Sequence, residues 1–175
     1  EKIFVEGCSD ATWVQLNIHL HEFTGDSKYF NEAEQTIVNE VYRHQDIDGY
    51  KFAYYTIPNE NKTQHNPFYH CCGSSEPRGM EMYSNNLVGA INGVLSINTL
   101  FPARIKLSNE FGGGNLEISG NFPYTNKTTF NINVDFKKKF KVEFRMPANT
   151  SLNSVLVNNK QVKFIRNKRG KYEIN

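Results

Sequence analysis

The sequence has no apolar run close to the roughly 20 residues that a helix needs to cross a bilayer, so no membrane partner is expected. Its first residues lack both an initiating Met and the layout of a signal peptide. A strong charge of either sign is also missing, because 20 basic and 18 acidic residues leave a formal net charge of +2. The overall field therefore gives no reason to expect nucleic acid or an anionic membrane surface as a partner.

Cysteine is scarce and its arrangement is unusual. Three cysteines cannot form a complete disulfide framework, and a bridge between the adjacent Cys71 and Cys72 would need a strained ring. The pair also lacks the C-x-x-C spacing of a zinc knuckle. Two interpretations stay open: three free buried thiols, or a metal centre to which Cys8 and the nearby Glu6 contribute. Three thiols and a carboxylate suit tetrahedral zinc, which would hold the sulfurs as thiolates.

The 175 residues are 38% hydrophobic and 13% aromatic, which is enough for one or two small cores. In the first half the apolar residues recur at helical spacing, and those of the first predicted helix are Trp13, Leu16, Ile18, Leu20 and Phe23. The pattern predicts helices over residues 11–23, 28–43 and 77–89, a turn over 46–49, a short strand over 50–57 and a polar loop over 58–67. The second helix is expected to start at Asp26-Ser27.

Beyond Asn92 the hydrophobic period becomes two, as in strands. Strands are predicted over residues 94–98, 103–107, 115–119, 128–134, 140–146, 154–157, 161–164 and 172–174. Short strands at this spacing suggest an antiparallel β-sandwich. The run Gly112-Gly113-Gly114 falls between two strands and is expected in a hairpin connection, not in a phosphate-binding loop. The expected class is α+β, with a helical domain over 1–90 and a β-sandwich domain over 91–175. The basic residues near the C-terminal end, Lys171 among them, are expected to be solvated.

Several short motifs follow one another in a distinctive order. They are Glu6-Gly7-Cys8, Trp13-Val14-Gln15-Leu16-Asn17, Thr24-Gly25-Asp26, Asn39-Glu40-Val41, Asp48-Gly49, the segment from His70-Cys71-Cys72 to Arg78-Gly79, and Phe144-Arg145-Met146-Pro147. This order resembles glycoside hydrolase family 127 (GH127), the β-L-arabinofuranosidase family, over nearly the whole chain. Glu-x-Cys followed by Cys-Cys and a downstream Arg is a specific combination.

The resemblance implies the last helices of an (α/α)6 barrel followed by an antiparallel β-sandwich. It also implies that Glu6, Cys8, Cys71 and Cys72 ligate Zn²⁺. Cys71 would attack the anomeric carbon of an L-arabinofuranose-containing glycan or a similar sugar and form a thioglycosyl intermediate, with retention of configuration. Zinc would lower the thiol pKa and stabilise the sulfur as a leaving group.

Three further residues have weaker assignments. The resemblance places a substrate-contacting tyrosine at Tyr55, although a half-buried strand aromatic explains the residue equally well. Arg78 is expected either to orient the cysteine loop or a nearby carboxylate, or to lie on the helix surface. His70 is expected to cap or pack.

The chain also departs from the family. The earlier barrel helices, which in the family carry the general acid/base glutamate and the histidines lining the sugar pocket, lie in the missing N-terminal barrel of the parent. Glu76 is the nearest carboxylate by sequence, but a surface position is expected for it. The family's tryptophan after the Arg-x-Pro strand is replaced by Ala148-Asn149. The chain is therefore expected to be an inactive fragment of a retaining glycosidase or, alternatively, a degenerate relative with a structural zinc and a β-sandwich used for binding or assembly. Thiolate ligands fit a bacterial cytoplasm or periplasm better than a disulfide-forming secretory route.

Overall fold

The computed structural model describes residues 3–61 and 70–174. The chain forms two compact units, Glu1–Asn86 and Leu87–Asn175. In the described part of the first unit, four α-helices accompany one two-stranded sheet, and the described part of the second unit is built from strands. The predicted α+β class is confirmed. None of the helices in the described residues is long and apolar enough to cross a membrane. The end of the predicted 58–67 loop lies outside the described residues.

The two long helices of the first unit follow each other across a tight turn. Helix α1, Gly7–Thr24, ends where Gly25 takes a φ of 70° and donates its N–H to the His21 carbonyl at 2.7 Å. Such a left-handed residue is a common helix terminator, and glycine adopts it without steric cost. Helix α2, Ser27–Thr36, begins at Asp26, whose carboxylate accepts a hydrogen bond from the Lys28 N–H at 3.0 Å. The predicted start at Asp26-Ser27 is therefore confirmed.

The second predicted helix continues as three segments. After α2 the backbone forms a π-helical turn, Ile37–Val41, and then helix α3, Tyr42–His44. Gln45 is extended, and the predicted turn closes with a hydrogen bond from the Gly49 N–H to the Asp46 carbonyl. The π-helical turn was not predicted, because an amphipathic pattern does not distinguish a π turn from α-helix.

A small strand pair and one more helix complete the unit. Strand β1, Val5–Glu6, pairs antiparallel with strand β2, Tyr55–Thr56. The predicted strand over 50–57 is therefore much shorter in the structure. Helix α4, Cys72–Asn85, begins earlier than predicted and contains Pro77 in its interior. The prediction took Pro77 as the first helical residue because proline favours that position.

The core of the helical unit includes only part of the apolar residues that predicted α1. Ala11, Val14 and Ile18 are fully buried, at the i, i+3, i+7 spacing of one helix face. Trp13 and Leu16 each keep 47% of their surface exposed, and Phe23 keeps 90%. Of the residues that predicted this helix, Ile18 is therefore in the core, and Trp13, Leu16 and Phe23 are on the exposed side. The opposing core residues come from α2, the π turn and α4: Phe30, Ala33, Ile37, Val41 and Tyr83.

The second unit contains ten strands in the described residues. They are β3 Val88–Ile91, β4 Val94–Ile97, β5 Ala103–Lys106, β6 Asn115–Gly120, β7 Thr128–Asn133, β8 Lys141–Arg145, β9 Val155–Val157, β10 Lys160–Val162, β11 Phe164–Arg166 and β12 Lys171–Ile174. They form a five-stranded sheet in the order β11-β12-β8-β4-β3, a three-stranded sheet β5-β6-β7 and the pair β10-β9. All predicted strands are present, but the predicted strand over 161–164 is split between β10 and β11. Strand β3 lies where the end of a helix was predicted.

The prediction of a purely antiparallel arrangement is wrong at one pair. Strands β4 and β8 pair in parallel, from Val94 opposite Lys141 to Ile97 opposite Phe144. Period-two patterning identifies which face is buried and carries no information about strand direction, which only a short hairpin would fix. Leu95, Ile97 and Phe144 of the five-stranded sheet share one hydrophobic core with Leu116 and Ile118 of the three-stranded sheet.

Two local features of the β unit bear on the sequence predictions. The three consecutive glycines connect β5 to β6 as expected, and a Cβ on Gly114, whose φ is 78°, would lie 2.0 Å from the Asn133 carbonyl oxygen. Lys171, in contrast, is fully buried and not solvated. Its Nζ lies 2.6 Å from Ser96 Oγ and 3.5 Å from Glu143 Oε1. The partner strands supply these groups, which is why local sequence did not reveal the burial.

Candidate metal centre

The three cysteines meet at the start of two helices. Cys8 lies in the first turn of α1, and Cys71 and Cys72 lie at the start of α4. The Cys8 sulfur is 3.0 Å from the Cys71 sulfur and 3.3 Å from the Cys72 sulfur. Together with a carboxylate oxygen of Glu6, these sulfurs form a group whose ligand atoms all lie within 4.8 Å of one another. The structure thus brings together the four residues that the sequence singled out.

Packing of α1 on α4 and the β1–β2 pair hold this group in place. Glu6 is the last residue of β1 and pairs with Tyr55 of β2. The next residue, Gly7, donates its N–H to the Tyr54 carbonyl at 3.2 Å, which fixes the point where strand becomes helix. Glu6 and Cys8 therefore project from a short segment that is anchored on both sides of Gly7.

The three thiols differ in exposure and acidity. Cys71 is exposed, whereas Cys72 is fully buried. The Cys8 thiol donates a hydrogen bond to the Cys71 sulfur, and this bond lowers the pKa of Cys71. Burial raises the pKa of Cys8 and that of Cys72. Cys71 therefore loses its proton first and is the thiol that can present a nucleophilic sulfur to solvent.

The donor set fits zinc. Three sulfurs and one carboxylate oxygen are ligands that Zn²⁺ takes in tetrahedral sites. With Zn–S bonds of about 2.3 Å, tetrahedral geometry places two sulfurs about 3.8 Å apart. The sulfurs of Cys8 and Cys71, at 3.0 Å, would have to separate by less than about 1 Å to reach that spacing. The residues present can therefore hold the ion without rearrangement of the helices.

Tyr54 and Tyr55 lie beside the segment that carries Glu6. Tyr55, the predicted substrate contact, keeps 40% of its surface exposed and meets the Tyr54 ring edge-on at 4.4 Å. Tyr54 has the more direct connection with the ligands, because its hydroxyl hydrogen-bonds to the Glu6 carboxylate, which raises the pKa of Tyr54. Tyr54 was not predicted from the sequence. Adjacent residues of an extended segment point to opposite faces, so the signal for Tyr54 was its position next to Tyr55.

The remaining predicted residues have structural positions. His70 packs edge-on against Tyr54, and its Nε2 lies 2.8 Å from the Phe52 carbonyl oxygen. Arg78 is exposed on α4. A groove of about 390 Å³ opens beside Cys8 and is lined by Ser9, Thr12, Trp13 and Leu16. The exposed Trp13 thus gives this groove an aromatic wall.

Glu76 is fully buried, and the surface position expected for it is wrong. Its Oε1 lies 2.9 Å from Nδ1 of His44, which is also fully buried. Burial raises the pKa of Glu76, and it raises that of Asp10 to about 7. Asp10, Glu40 and His44 form a second group whose ligand atoms lie within 4.8 Å of one another. The sequence analysis missed this group, because its members are far apart in the chain and form no spaced motif.

A helical unit with a cysteine-rich four-donor group is followed in the chain by a β unit, and known proteins share this arrangement. Residues 1–85 match the family model described as "Beta-L-arabinofuranosidase, GH127 catalytic domain". The resemblance inferred from the motifs is confirmed: residues 1–85 are similar to the catalytic domain of this family. None of the curated proteins searched matches the sequence.

Solved structures agree with this assignment at the level of fold. A GH127 β-L-arabinofuranosidase from Geobacillus stearothermophilus T6 superposes with a TM-score of 0.78 at 17% identity, over 98% of this chain and 30% of that one. A GH127 β-arabinofuranosidase gives a TM-score of 0.81 at 22% identity, with the same two coverages. A third, a glycoside hydrolase, gives 0.76 at 18% identity, over 97% and 30%. The chain therefore spans about 30% of the length of these structures.

Proposed function

We propose that this chain is the C-terminal portion of a retaining glycoside hydrolase similar to β-L-arabinofuranosidases, with Cys71 as its nucleophile. The helical unit is then the end of an (α/α)6 barrel, and the β unit is a β-sandwich. The observation that carries the proposal is the position of Cys71. It is the exposed thiol of the four-donor group, and it accepts a hydrogen bond from the Cys8 thiol at 3.0 Å.

In the proposed reaction the Cys71 sulfur attacks the anomeric carbon of the sugar. A carbon–sulfur bond forms while the bond from that carbon to the leaving oxygen breaks, and the leaving oxygen takes a proton from a general acid. Water then attacks the same carbon from the opposite side, gives up a proton to the conjugate base of that acid, and releases the thiolate. Two displacements at one carbon retain its configuration.

Glu6, Cys8, Cys71 and Cys72 would hold Zn²⁺ in this account. When bound, the ion supplies a positive charge that keeps the thiol groups ionised at neutral pH and makes the Cys71 sulfur a better leaving group. Tyr54 orients the Glu6 carboxylate through their hydrogen bond. Tyr55 and the groove beside Trp13 offer exposed aromatic faces against which a furanose ring can pack.

The general acid is expected in the part of the parent protein outside this chain. Glu76 is unsuited to the role, because it is fully buried and its Oε1 lies against the buried His44 ring. A positioned general acid typically contributes about a hundred- to ten-thousand-fold in rate. The chain alone is therefore proposed to be inactive, although it carries the nucleophile.

The test uses the complete protein and an aryl β-L-arabinofuranoside. We expect release of the aryl group with a β-anomer as the first sugar product, and Cys71→Ser to reduce kcat by about a thousandfold or more, because serine lacks a thiolate. Ser84→Ala, at an exposed position on the same helix, serves as the matched control and keeps full activity. Inversion of the anomeric centre, or a fully active Cys71→Ser variant with the sheet unit intact, would refute the nucleophile assignment. Zinc retained by a complete protein that releases no aryl group would favour the alternative of a degenerate relative with a structural zinc.

A further inference from the structure

A second polar group lies inside the helical unit, and it consists of a histidine and carboxylates without any cysteine. His44, at the end of α3, is fully buried between carboxylates from other elements. Its Nδ1 lies 2.9 Å from Glu76 Oε1 of α4 and 3.1 Å from the Ala53 carbonyl oxygen. Its Nε2 lies 3.5 Å from Asp10 Oδ2 of α1 and 3.0 Å from Thr56 Oγ1. One ring nitrogen of the imidazole therefore faces Glu76, and the other faces Asp10.

The carboxylates around His44 are poorly satisfied within the described residues. Asp10 Oδ2, Glu40 Oε2 and Glu76 Oε2 are buried and have no hydrogen-bond partner there. The His44 ring can carry at most one positive charge, so three ionised carboxylates would leave the group two charges negative. Buried unpaired charge of this size is strongly unfavourable. A bound cation would supply both the missing charge and the missing partner for these oxygens.

We propose that Asp10, Glu40 and His44 form a second metal site, separate from the cysteine centre, for a divalent transition-metal ion. Each of these residues offers one ligand atom, and the three atoms lie within 4.8 Å of one another. His44 Nε2 faces Asp10 Oδ2 at 3.5 Å, so these two atoms are the ligand atoms of their side chains. Glu76 accepts a hydrogen bond from His44 Nδ1–H and so leaves Nε2 unprotonated and directed at the ion. This carboxylate–histidine–metal arrangement is the usual way in which proteins fix a ligating imidazole.

The ligand set points to the class of metal. One imidazole nitrogen with two carboxylates suits ions such as Mn²⁺, Fe²⁺, Co²⁺ or Zn²⁺. Calcium and magnesium favour sites built from oxygen alone. The Thr56 hydroxyl, which faces Nε2, is displaced or becomes a further oxygen ligand when the ion binds. The site would join α1, the π turn, α3 and α4, so its role is to hold these elements together.

Cobalt(II) separates this site from the cysteine centre in a single titration of the complete protein. Thiolate ligands give Co²⁺ a strong sulfur-to-metal absorption band, which a site of nitrogen and oxygen ligands lacks. Total bound Co²⁺ is measured by equilibrium dialysis of the metal-free protein, and the band is recorded on the same samples. We expect about two Co²⁺ per chain, of which about one contributes the band.

Variants assign the second ion. Glu40→Gln and His44→Gln each remove a ligand, and we expect each to weaken the second Co²⁺ by about tenfold or more while the thiolate band stays unchanged. Glu32→Gln, an exposed carboxylate on the neighbouring helix turn, is the control and binds both ions. His44 is buried, so the thiolate band also serves as the folding control for its variant: loss of the band would reveal an unfolded unit. Glu40 is partly exposed, so Glu40→Gln keeps the test decisive. One Co²⁺ per wild-type chain, all with the thiolate band, would overturn the proposal, as would a second ion that Glu40→Gln does not weaken.

Discussion

Gly7 is the position where a single methyl group is expected to disturb the buried contact between Glu76 and His44. A Cβ there would lie 2.0 Å from Glu76 Oε1 and 2.9 Å from His44 Nδ1. An ordinary contact begins at 3.4 Å, so the Glu76 carboxylate would have to move by more than an ångström. This carboxylate is fully buried. Gly7→Ala is therefore expected to separate Glu76 from His44.

The size of the effect follows from two known costs. Overpacking a filled core costs about 1 to 3 kcal/mol, and breaking a buried ion pair costs about 3 to 5 kcal/mol. We expect Gly7→Ala to lower the free energy of unfolding of the helical unit by about 2 to 5 kcal/mol, since part of the strain is relieved when the pair separates. Denaturant titration followed by far-UV circular dichroism measures this change.

Gly73 provides the matched control. It lies in the first turn of α4, and a Cβ there would meet nothing within 4 Å. Gly73→Ala is expected to leave stability unchanged or to raise it by up to about 1 kcal/mol, because alanine favours helix. Equal unfolding free energies for Gly7→Ala and wild type would refute the described packing of Glu76 and His44. A Gly73→Ala variant as unstable as Gly7→Ala would show that any added methyl group in this region disrupts the unit.

Three further predictions concern the metal, the β unit and the chain by itself. Elemental analysis of freshly reduced protein is expected to find zinc at the cysteine centre. Chelation is expected to unfold the helical unit before the β unit, because all four ligands lie in the helical unit. Reduced protein without zinc, or a β unit that unfolds first, would contradict this prediction. Burial lowers the pKa of Lys171 to about 8, against about 10.4 in the unfolded chain. The unfolded state therefore binds more protons between these pH values, and the free energy of unfolding is expected to rise from pH 8 to 10.4 by up to about 3 kcal/mol. Lys171→Met is expected to remove this rise, and an identical pH profile in the variant would refute the assignment. The 175-residue chain alone is expected to release no aryl group from an aryl β-L-arabinofuranoside, and substantial turnover would overturn the placement of the acid outside it.

Local sequence signals predicted the elements of the fold well and their ends less well. The helix start at Asp26 and the helix end at Gly25 follow from capping chemistry that neighbouring residues determine. Helix α4 was misplaced because Pro77 is a common first residue, although here it lies inside the helix. The parallel pairing of β4 with β8 joins strands far apart in the chain, and period-two patterning does not encode strand direction.

The cysteine centre and the His44 group differ in how far the sequence could reveal them. Glu6-Gly7-Cys8 and Cys71-Cys72 are compact motifs of reactive residues, so their chemistry was visible before the structure. Carboxylates such as Glu76 are rarely buried, and a surface position was the reasonable expectation. Its burial depends on His44, which comes from another helix and whose ring meets it at 2.9 Å. Such a contact is fixed by packing between helices and not by any local pattern.

The most direct test of the central claim is to detect the sugar on Cys71 itself. The complete protein is mixed with an aryl β-L-arabinofuranoside that has a good leaving group, quenched in acid within the first turnover, digested and analysed by mass spectrometry. The account predicts one pentosyl group on the peptide that contains Cys71 and Cys72, assigned to Cys71 by fragmentation, and no such group in Cys71→Ser. A pentosyl group on another residue, or turnover in which the Cys71 peptide stays unmodified throughout, would contradict it.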